Sequence, residues 1–369
     1  MKILFLSDLL AYGGASKLIY DLLPRMVAKG HECELLILTD DNSKYVEELR
    51  NKGVPVHIVP KDVKGHLGNV RYIKKWIEHG NYNIIHANLF PTIYYCSLVK
   101  RILGKKCPPL VMTEHNTDNR RRHKPFLRPV EKFVYKAYDH VISISDKTQE
   151  NLCNWLGTEG EAKYTVIENG IDLEKFMNSK SIPQNELYET YKEGDILLLT
   201  VGRFSVQKNH KKLIEALNLL PAKYKLLLCG EGELEKEIRE QVTKLELSDR
   251  VVFLGFRKDI ADIMRSADIL VIPSIWEGFG LIAAEGMACG IPITASDVPG
   301  LSEVVGDAGI KFNPNSPADI SKAVSHISDS TEMKHRVVKL GLEKAKEYDI
   351  NRMVERYLKA YSNLLFEKE

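Results

Sequence analysis

The feature that most constrains this chain is the alternation of short apolar runs with stretches of helical spacing along nearly its whole length. Runs rich in leucine or β-branched residues occupy positions 2–7, 33–39, 54–59, 83–88, 109–114, 140–145 and 164–168, and then 196–201, 225–229, 251–254, 269–273, 292–295 and 309–312. From Pro317 onward the pattern is helical. Strands that alternate with helices form repeated βαβ units, so the sequence predicts the α/β class with parallel sheets.

Length and linker signals predict two domains. The 369 residues exceed the roughly 100–200 residues that are typical of one domain. A polar stretch at 178–185 lies between the two sets of strands, and we place the boundary there. The predicted parts are an N-terminal domain at 1–178, a C-terminal domain at 179–350 and a last helix at 351–369. That helix carries an apolar stripe, which must pack against another element.

The charge balance excludes nucleic-acid binding driven by bulk charge, because the formal net charge is only +2. Residues 101–140 nevertheless hold ten Lys or Arg against four acids, and such a concentration indicates an anionic partner. The six cysteines lack C-x-x-C spacing, which favours reduced thiols in the cytoplasm. The sequence contains no signal-peptide pattern and no apolar stretch of ~20 residues. We expect a cytoplasmic protein, either soluble or peripheral at the inner face of a membrane.

A glycine-rich segment after the run at 269–273 predicts an anion site. Gly278 and Gly280 precede an apolar helical stretch, and the free N–H groups at a helix start favour a phosphate. Glu285 lies within that apolar stretch, where an unpaired carboxylate is costly, so it requires donors such as ribose hydroxyls. Glu277 precedes the helix and is expected near the same ligand. The alternative is that the glycines only shape a turn and that Glu285 meets an internal arginine.

A second segment, 201–210, follows the first strand of the C-terminal half. Arg203 and Lys208 leave this strand end before a helix, so both cations can converge on a pyrophosphate. Two positive charges there stabilise a departing diphosphate. The alternative is that both side chains are solvated surface.

Taken together and in order, these motifs resemble the retaining glycosyltransferases of family 4. The resemblance rests on Gly202-Arg203 with Gln207-Lys208-Asn209, on Gly230-Glu231-Gly232, on Phe253-Leu254-Gly255-Phe256, and on 273–281 leading to Glu285 and Gly290-Ile291-Pro292. In the first half it rests on Tyr12-Gly13-Gly14-Ala15, Thr113-Glu114-His115-Asn116 and Asn169-Gly170-Ile171-Asp172. It implies the GT-B fold, with two Rossmann-like domains facing each other across a cleft and the last helix crossing back to the N-terminal domain.

The resemblance also implies roles for individual residues. Arg203 and Lys208 are expected to hold the diphosphate, Glu285 the ribose and Glu277 the sugar hydroxyls. The backbone at Phe279, Gly280 and Leu281 is expected to hold sugar and phosphate, and Gly14 to approach the phosphates. His115 is expected to face the transferred sugar, although a lone histidine at a strand end is more often structural. His86 and Asn116 are candidates on the acceptor side.

The implied reaction transfers a hexose or N-acetylhexosamine from a nucleotide diphosphate sugar, UDP being favoured, to a glycan or lipid-linked acceptor in cell-surface polysaccharide or glycoconjugate synthesis. Anomeric retention in the family is explained by front-face attack, in which the leaving phosphate takes the acceptor proton, so no protein nucleophile is required. The chain contains no D-x-D triplet, and we expect neither a metal nor another cofactor, since Arg203, Lys208 and the helix dipole replace the metal.

The basic segment 120–136 mixes cations with Phe126, Leu127, Phe133, Val134 and Tyr135. Such a stretch can lie on an anionic membrane or steer a lipid diphosphate acceptor. A solvated surface is the alternative.

Other functions remain open at this point. A dinucleotide-dependent oxidoreductase is disfavoured because residues 12–17 lack the G-x-G-x-x-G spacing. A nucleotide-sugar epimerase or a sugar phosphorylase can share the two-domain fold. A non-enzymatic sugar-nucleotide-binding protein is a third possibility, yet it has no need for two cations and two glutamates around a diphosphate.

Overall fold

The computed structural model describes residues 1–10, 13–39, 44–63, 65–117 and 121–366. Three parts of the predicted segments lie outside these residues, namely Tyr12, Arg120 and the end of the last helix at 367–369. The described chain forms two compact units. Unit 1 comprises Met1–Gly170 with Ile350–Glu369, and unit 2 comprises Ile171–Asp349.

Unit 1 contains the first seven strands. They are β1 (Lys2–Ser7), β2 (Glu32–Ile37), β3 (Val56–Ile58), β4 (Ile84–Asn88), β5 (Leu110–Glu114), β6 (His140–Ser143) and β7 (Tyr164–Val166). The helices between them are α1 (Gly14–Ala28), α2 (Lys44–Asn51), α3 (Gly65–Gly80), α4 (Thr92–Leu103), α5 (Arg128–Tyr135) and α6 (Asp146–Leu156), with 3₁₀ turns at Gly104–Lys106 and Pro125–Leu127.

Unit 2 contains the remaining strands, which are β8 (Ile196–Val201), β9 (Tyr224–Cys229), β10 (Val251–Gly255), β11 (Ile269–Ile272), β12 (Ile293–Ser296) and β13 (Gly309–Phe312). Its helices are α7 (Leu173–Met177), α8 (Gln184–Leu187), α9 (His210–Leu219), α10 (Glu235–Lys244), α11 (Ile260–Ser266), α12 (Leu281–Cys289), α13 (Leu301–Val305), α14 (Pro317–Ser328) and α15 (Thr331–Ala345), with 3₁₀ turns at Val206–Lys208 and Lys346–Tyr348. The last helix, α16 (Ile350–Phe366), belongs to unit 1.

The six strands of unit 2 have the same order as the first six strands of unit 1, to which β7 is added at one edge. Unit 1 has the order β3-β2-β1-β4-β5-β6-β7 and unit 2 the order β10-β9-β8-β11-β12-β13. All the pairings between these strands are parallel. Each order reverses once, between β1 and β4 and between β8 and β11. In open α/β sheets, ligands bind beyond the carboxyl ends of the strands at such a reversal.

The sheet of unit 1 is covered on both faces, which explains why its strands are nearly continuous apolar runs. Alternate residues of β1 point to opposite faces, so Leu4 and Leu6 join one apolar cluster while Ile3 and Phe5 join another. The second cluster includes Met353, Val354, Tyr357 and Tyr361 of α16. The expectation that the last helix returns to the N-terminal unit is therefore confirmed.

The structure places the boundary between the units at residues 170 and 171 rather than at the predicted 178 and 179. Phe176 of α7 is buried in unit 2, where α7 packs against α12. The polar stretch that suggested a linker is held by hydrogen bonds, from Lys180 N to Asp262 Oδ1 (2.8 Å) and from Ile182 N to Ser266 Oγ (2.6 Å). Its polarity thus reflects a surface segment that is fixed to unit 2.

Among the described residues, no helix combines the length and the apolar character that crossing a bilayer requires.

Candidate functional site

In unit 2, two loops meet at the point where the strand order reverses. One follows β8 and the other follows β11, its neighbour in the sheet. Hydrogen bonds join the loops, from Ile275 N to Gln207 O (2.8 Å) and from Gln207 Nε2 to Trp276 O (2.9 Å). Parallel strands and this cross-link together fix the two predicted segments side by side.

Lys208 and Glu277, one from each loop, form an ion pair. Lys208 Nζ lies 2.5 Å from Glu277 Oε1, and their side chains are only 21% and 10% exposed. The buried Ser274 donates from Oγ to the same carboxylate oxygen at 2.8 Å. A charged pair that is largely removed from water needs such additional hydrogen bonds. The structure thus brings together two of the residues predicted to bind the donor.

Arg203 lies two residues after the end of β8 and is 72% exposed. Its Nε contacts Glu233 Oε2 at 3.1 Å, and Glu233 is also exposed. Exposed pairs contribute little to stability because water and salt screen them. The guanidinium can therefore exchange this partner for another anion at little cost.

Two glycines, Gly230 and Gly232, allow close packing against the backbone segment that carries Arg203. A Cβ on Gly230 would lie 2.1 Å from Gly202 O, and one on Gly232 would lie 2.5 Å from Phe204 O. The loop after β9 therefore packs directly on the backbone at 202–204, where any side chain would obstruct it. Two hydrogen bonds of 2.9 Å, from Gly202 N to Cys229 O and from Phe204 N to Glu231 O, extend the pairing of β8 with β9.

The helix α12 begins after the loop that carries Glu277. Gly280 precedes it with φ 88°, and a Cβ there would lie 2.8 Å from Leu301 Cδ1. The first N–H groups of a helix have no intrahelical partner, so this end favours an anion. The side chain of Phe279 is buried against Tyr348, with ring centroids 5.3 Å apart. A ligand at this position would therefore contact the backbone of Phe279 rather than its ring. Glu285 lies about one turn into α12 and is buried.

In unit 1, His115 and Asn88 meet at the carboxyl ends of β5 and β4. His115 Nε2 lies 3.0 Å from Asn88 Oδ1. An amide oxygen only accepts, so Nε2 carries the proton of the neutral ring. Burial lowers the pKa of His115 to about 4, and the ring is therefore neutral at neutral pH. The neutral tautomer leaves Nδ1 as an acceptor for a hydroxyl group.

A buried carboxylate anchors the segment that carries His115. Glu114 Oε2 accepts from Tyr135 OH (2.5 Å) and from Arg122 Nη2 (3.0 Å), and its Oε1 accepts from Asn116 N (3.1 Å). The side chain of Asn116 remains exposed. Gly14 is likewise exposed, at the start of α1.

Comparison with known proteins decides the family. Residues 12–175 match the family model described as Glycosyltransferase Family 4, and residues 185–344 match the one described as Glycosyl transferases group 1. The uncharacterized glycosyltransferase MJ1178 of Methanocaldococcus jannaschii is 31% identical over 385 residues, which cover 99% of both chains. The chain belongs to glycosyltransferase family 4.

Two further relatives of this family 4 protein are informative. The UDP-Gal:alpha-D-GlcNAc-diphosphoundecaprenol alpha-1,3-galactosyltransferase of Escherichia coli is 29% identical over 254 residues, covering 65% of this chain and 63% of the relative. The structure of Anabaena HepE in complex with UDP and glucose superposes with a TM-score of 0.84 at 23% identity, covering 98% of this chain and all of HepE. The two-domain α/β GT-B fold predicted from the motifs is confirmed.

The structure gives His86 of the glycosyltransferase an internal position. The ring is fully buried and stacks on Phe5, with centroids 4.8 Å apart. Its Nδ1 bonds to Tyr361 OH (2.6 Å) and its Nε2 to Thr113 Oγ1 (2.9 Å). Burial holds the pKa of His86 well below its ordinary value. Both nitrogens are thus occupied, which contradicts the expectation that this residue contacts an acceptor.

Two arginines of the basic segment 120–136 also point inward. Arg122 pairs with the buried Glu114, and Arg121 Nε lies 2.7 Å from Oε1 of the buried Glu131. The expectation that the whole segment is a contact surface is therefore corrected for these residues. Sequence composition does not reveal this pairing, because each acid and its arginine are separated by about two or three helical turns along the chain.

In each unit of the glycosyltransferase, residues to which the sequence assigned no role lie beside the candidate site residues. Ser274 donates a hydrogen bond to Glu277, and Asn88 accepts one from His115. His210, next to Asn209 at the start of α9, is buried with its ring against Phe204 at 4.8 Å between centroids. Neither of its nitrogens has a hydrogen-bond partner among the described residues. Burial, and then the charge of Lys208, lower the pKa of His210 to about 4.

Within the described part of the chain, no group of three or more His, Cys, Asp or Glu side chains is arranged to hold a metal ion.

Proposed function

We propose that this family 4 protein is a retaining, metal-independent hexosyltransferase. It transfers a hexose or N-acetylhexosamine from a nucleotide diphosphate sugar, with UDP as the favoured nucleotide, to a glycan or lipid-linked acceptor in cell-surface polysaccharide or glycoconjugate synthesis. The observation that carries the proposal is the Lys208–Glu277 pair, held by Ser274 at the strand reversal of unit 2. A cation and a carboxylate at that point suit a ligand with a phosphate and hydroxyl groups side by side.

In this proposal the donor lies along the ends of β8 and β11. Lys208 and Arg203 bind the diphosphate, and the N-terminus of α12 with the backbone at 279–281 adds N–H donors. Glu277 accepts from hydroxyls of the sugar, and Glu285 accepts from hydroxyls of the ribose. That HepE was solved with UDP and with UDP-glucose supports a UDP donor for the shared fold.

The reaction needs no protein nucleophile. The bond between the anomeric carbon and the phosphate oxygen breaks, and a bond from the same carbon to the acceptor oxygen forms on the same face. The acceptor proton passes to the leaving phosphate. Lys208 and Arg203 stabilise the negative charge that develops on the diphosphate, in the place where other enzymes use a metal ion.

Unit 1 is proposed to serve the acceptor and the transferred sugar. The neutral ring of His115 can accept a hydrogen bond from a hydroxyl group at Nδ1 and cannot act as a cation at neutral pH. The exposed Asn116 offers an amide beside it, and the exposed Gly14 allows close approach of a phosphate to the backbone.

A lipid-linked acceptor is favoured by the names of relatives, among them the galactosyltransferase whose substrate is a diphosphoundecaprenol. Such an acceptor resides in a bilayer, so the proposal places the protein in the cytoplasm at the inner face of a membrane, in contact through residues 120–136. All six cysteines are free thiols, in keeping with a reducing compartment.

The test is a panel of nucleotide sugars screened by the melting temperature of the intact protein. A ligand at 100 times its dissociation constant adds ~2.7 kcal/mol, roughly 5–10 °C for a unit of this size. Arg203→Ala combined with Lys208→Ala should abolish the shift. Full activity of that double variant would refute the donor site.

Incubation with the best donor then separates the remaining functions. Release of nucleotide only when an acceptor is added identifies a transferase. Conversion of the donor alone identifies an epimerase, reaction with inorganic phosphate identifies a phosphorylase, and a thermal shift without turnover identifies a binding protein.

A further inference from the structure

An exposed tryptophan stands beside the ion pair of unit 2. Trp276 directly precedes Glu277 in the loop after β11 and is 52% exposed. A large aromatic side chain is usually covered in a folded protein. The other two tryptophans of the chain, Trp76 and Trp155, are partly buried, and each donates from its indole N–H, one to a tyrosine hydroxyl (2.9 Å) and one to a carboxylate (2.8 Å). Among the residues that the structure describes, none accepts from the indole N–H of Trp276.

The backbone that carries Trp276 is held on two sides. Its carbonyl accepts from Gln207 Nε2 at 2.9 Å, and Ile275 N donates to Gln207 O at 2.8 Å. In the same loop, the buried Ser274 and Glu277 are joined by a hydrogen bond of 2.8 Å. The ring is therefore presented to solvent by an ordered loop, and such a preformed position lowers the entropy cost of binding a ligand.

A second exposed apolar side chain lies on the adjoining loop. Val206 is 62% exposed and directly precedes Gln207, which bonds to the backbone of Ile275 and Trp276. Two exposed side chains are too few for a protein partner, because a stable interface buries about 800 Å² on each side. An aromatic ring beside convergent polar groups is instead typical of a site for a small ligand or for one part of a larger ligand.

The proposed donor site indicates which part of the substrates meets Trp276. The ribose is assigned to Glu285 and the hydroxyls of the transferred sugar to Glu277, whose carboxylate faces inward to Lys208 at 2.5 Å. The nucleotide base lies beyond the ribose, and therefore away from Trp276. The indole ring faces solvent from the residue next to Glu277, and consecutive Cα atoms are about 3.8 Å apart. A molecule that approaches the transferred sugar from solvent at this point is the acceptor.

A pyranose ring matches an exposed indole ring in chemistry. One face of a pyranose presents C–H groups that pack on the apolar surface of an aromatic ring, while its hydroxyls project from the edge and stay hydrated. The indole N–H is a donor only, so it suits a hydroxyl or ring oxygen of the sugar. A bare lipid phosphate would instead be bound by cations, and Trp276 carries no charge.

We propose that Trp276 is the platform on which a pyranose ring at the end of the acceptor stacks. The inference rests on the proposed function, because it takes the donor to lie on Lys208 and Glu277. It narrows the acceptor to a molecule that ends in a sugar ring, whether that sugar belongs to a glycan or is linked to a lipid. It also gives unit 2 an acceptor contact of its own.

Quenching of tryptophan fluorescence by acrylamide tests the platform in the intact protein. The probes are methyl β-D-glucopyranoside and methyl N-acetyl-β-D-glucosaminide, each added with UDP present. Sorbitol is the control, because it has similar hydroxyls but no ring face. We expect the glycosides to lower the quenching of the wild-type protein toward the level of Trp276→Leu, which retains only Trp76 and Trp155. Quenching of that variant should not respond to the glycosides.

Saturation transfer from the protein to the same glycosides, measured by NMR, shows how the sugar lies. The axial hydrogens of one ring face should receive more saturation than those of the other face. Trp276→Leu should weaken glycoside binding by about tenfold, and Trp276→Phe, which keeps an aromatic ring, by no more than about threefold. Phe366→Leu is the matched control, since Phe366 is an aromatic residue of unit 1 that is 72% exposed, and it should leave glycoside binding unchanged.

Several outcomes would overturn the proposal. Glycosides that protect Trp276 no better than sorbitol would refute the platform, as would equal losses of binding in Phe366→Leu and Trp276→Leu. Protection by UDP alone would place the indole ring on the nucleotide, and a dimer that Trp276→Leu dissociates would identify a second copy as the occupant. If calorimetry shows no UDP binding to the wild-type protein, the proposed donor site fails and the acceptor role of Trp276 fails with it. If UDP binds and the glycosides leave Trp276 unprotected, only the platform fails.

Discussion

The Lys208–Glu277 pair predicts that two single substitutions affect nucleotide affinity differently, one weakening it and the other leaving it unchanged or raising it. In the free protein, the ammonium of Lys208 is shared with Glu277 at 2.5 Å. Lys208→Met keeps the length of the side chain and removes its charge. Hydrogen bonds to charged groups contribute about 1.5–3 kcal/mol, so we expect UDP to bind about ten- to hundredfold more weakly.

Glu277→Gln removes the competing negative charge and keeps the shape. The diphosphate then meets no carboxylate beside Lys208, and UDP should bind as well as before or up to about fivefold more tightly, a change of about 1 kcal/mol. The nucleotide sugar loses a charged acceptor for its hydroxyls. The preference for the nucleotide sugar over UDP should therefore fall by roughly tenfold.

The assay is isothermal titration calorimetry with UDP and with the nucleotide sugar that gives the largest thermal shift. Lys211→Met is the matched control, because Lys211 forms a similar pair with Glu237 on the exposed surface, and it should not change either affinity. If Glu277→Gln weakens UDP binding as much as Lys208→Met does, Glu277 only positions the lysine. The assignment of Glu277 to the sugar would then be refuted.

Three further results are expected. Burial lowers the pKa of His115 and of His210 to about 4. As the pH falls below about 6.5, the unfolded chain therefore binds more protons than the folded chain does. The free energy of unfolding should drop by about 2 kcal/mol per histidine between about pH 7 and pH 5. In urea titrations, His210→Phe should remove about 2 kcal/mol of this drop, while the buried His86 and His115 maintain their own contributions. An unchanged pH dependence would contradict the cause. Gly300 and Gly30 have φ of 83° and 84°, but only at Gly300 would a Cβ lie 2.6 Å from a backbone oxygen. Gly300→Ala should therefore lower the free energy of unfolding by at least about 3 kcal/mol, and Gly30→Ala by about 1 kcal/mol. Similar losses in the two variants would contradict the close approach at Gly300. EDTA should leave turnover unchanged, and a loss that Mg²⁺ restores would contradict a metal-independent reaction.

The strands were predictable from the sequence because both faces of each sheet are covered. Buried parallel strands such as β1 and β8 are nearly continuous apolar runs, and the predicted ranges 2–7 and 196–201 coincide with the observed bounds. The predicted range 309–312 also coincides with its strand, and the remaining ranges differ by one or two residues at one end or both, as at 33–39 against Glu32–Ile37. The order of the strands was not predicted, because apolar runs alone do not determine which strands are neighbours.

The candidate site was predicted in outline. Glycines and charged residues after strand ends indicated the loops at 201–210 and 274–281. The contact between Lys208 and Glu277 was not predicted, since it requires β8 to lie beside β11. The placement of His86 was wrong because a histidine near a strand end looks the same in sequence whether or not its nitrogens bond to internal hydroxyls. In the structure these hydroxyls belong to Tyr361 of a distant helix and to Thr113 of the neighbouring strand.

The return of α16 to unit 1 has a consequence for synthesis on the ribosome. Unit 2 is one uninterrupted stretch, 171–349, whereas unit 1 needs 350–366 to cover the side of its sheet where Ile3 and Phe5 lie. The nascent chain can thus complete its second unit first. Until Tyr361 emerges, Nδ1 of His86 lacks its hydroxyl partner, and the apolar residues that α16 covers remain exposed. We therefore expect the growing polypeptide to be most prone to aggregation at that stage.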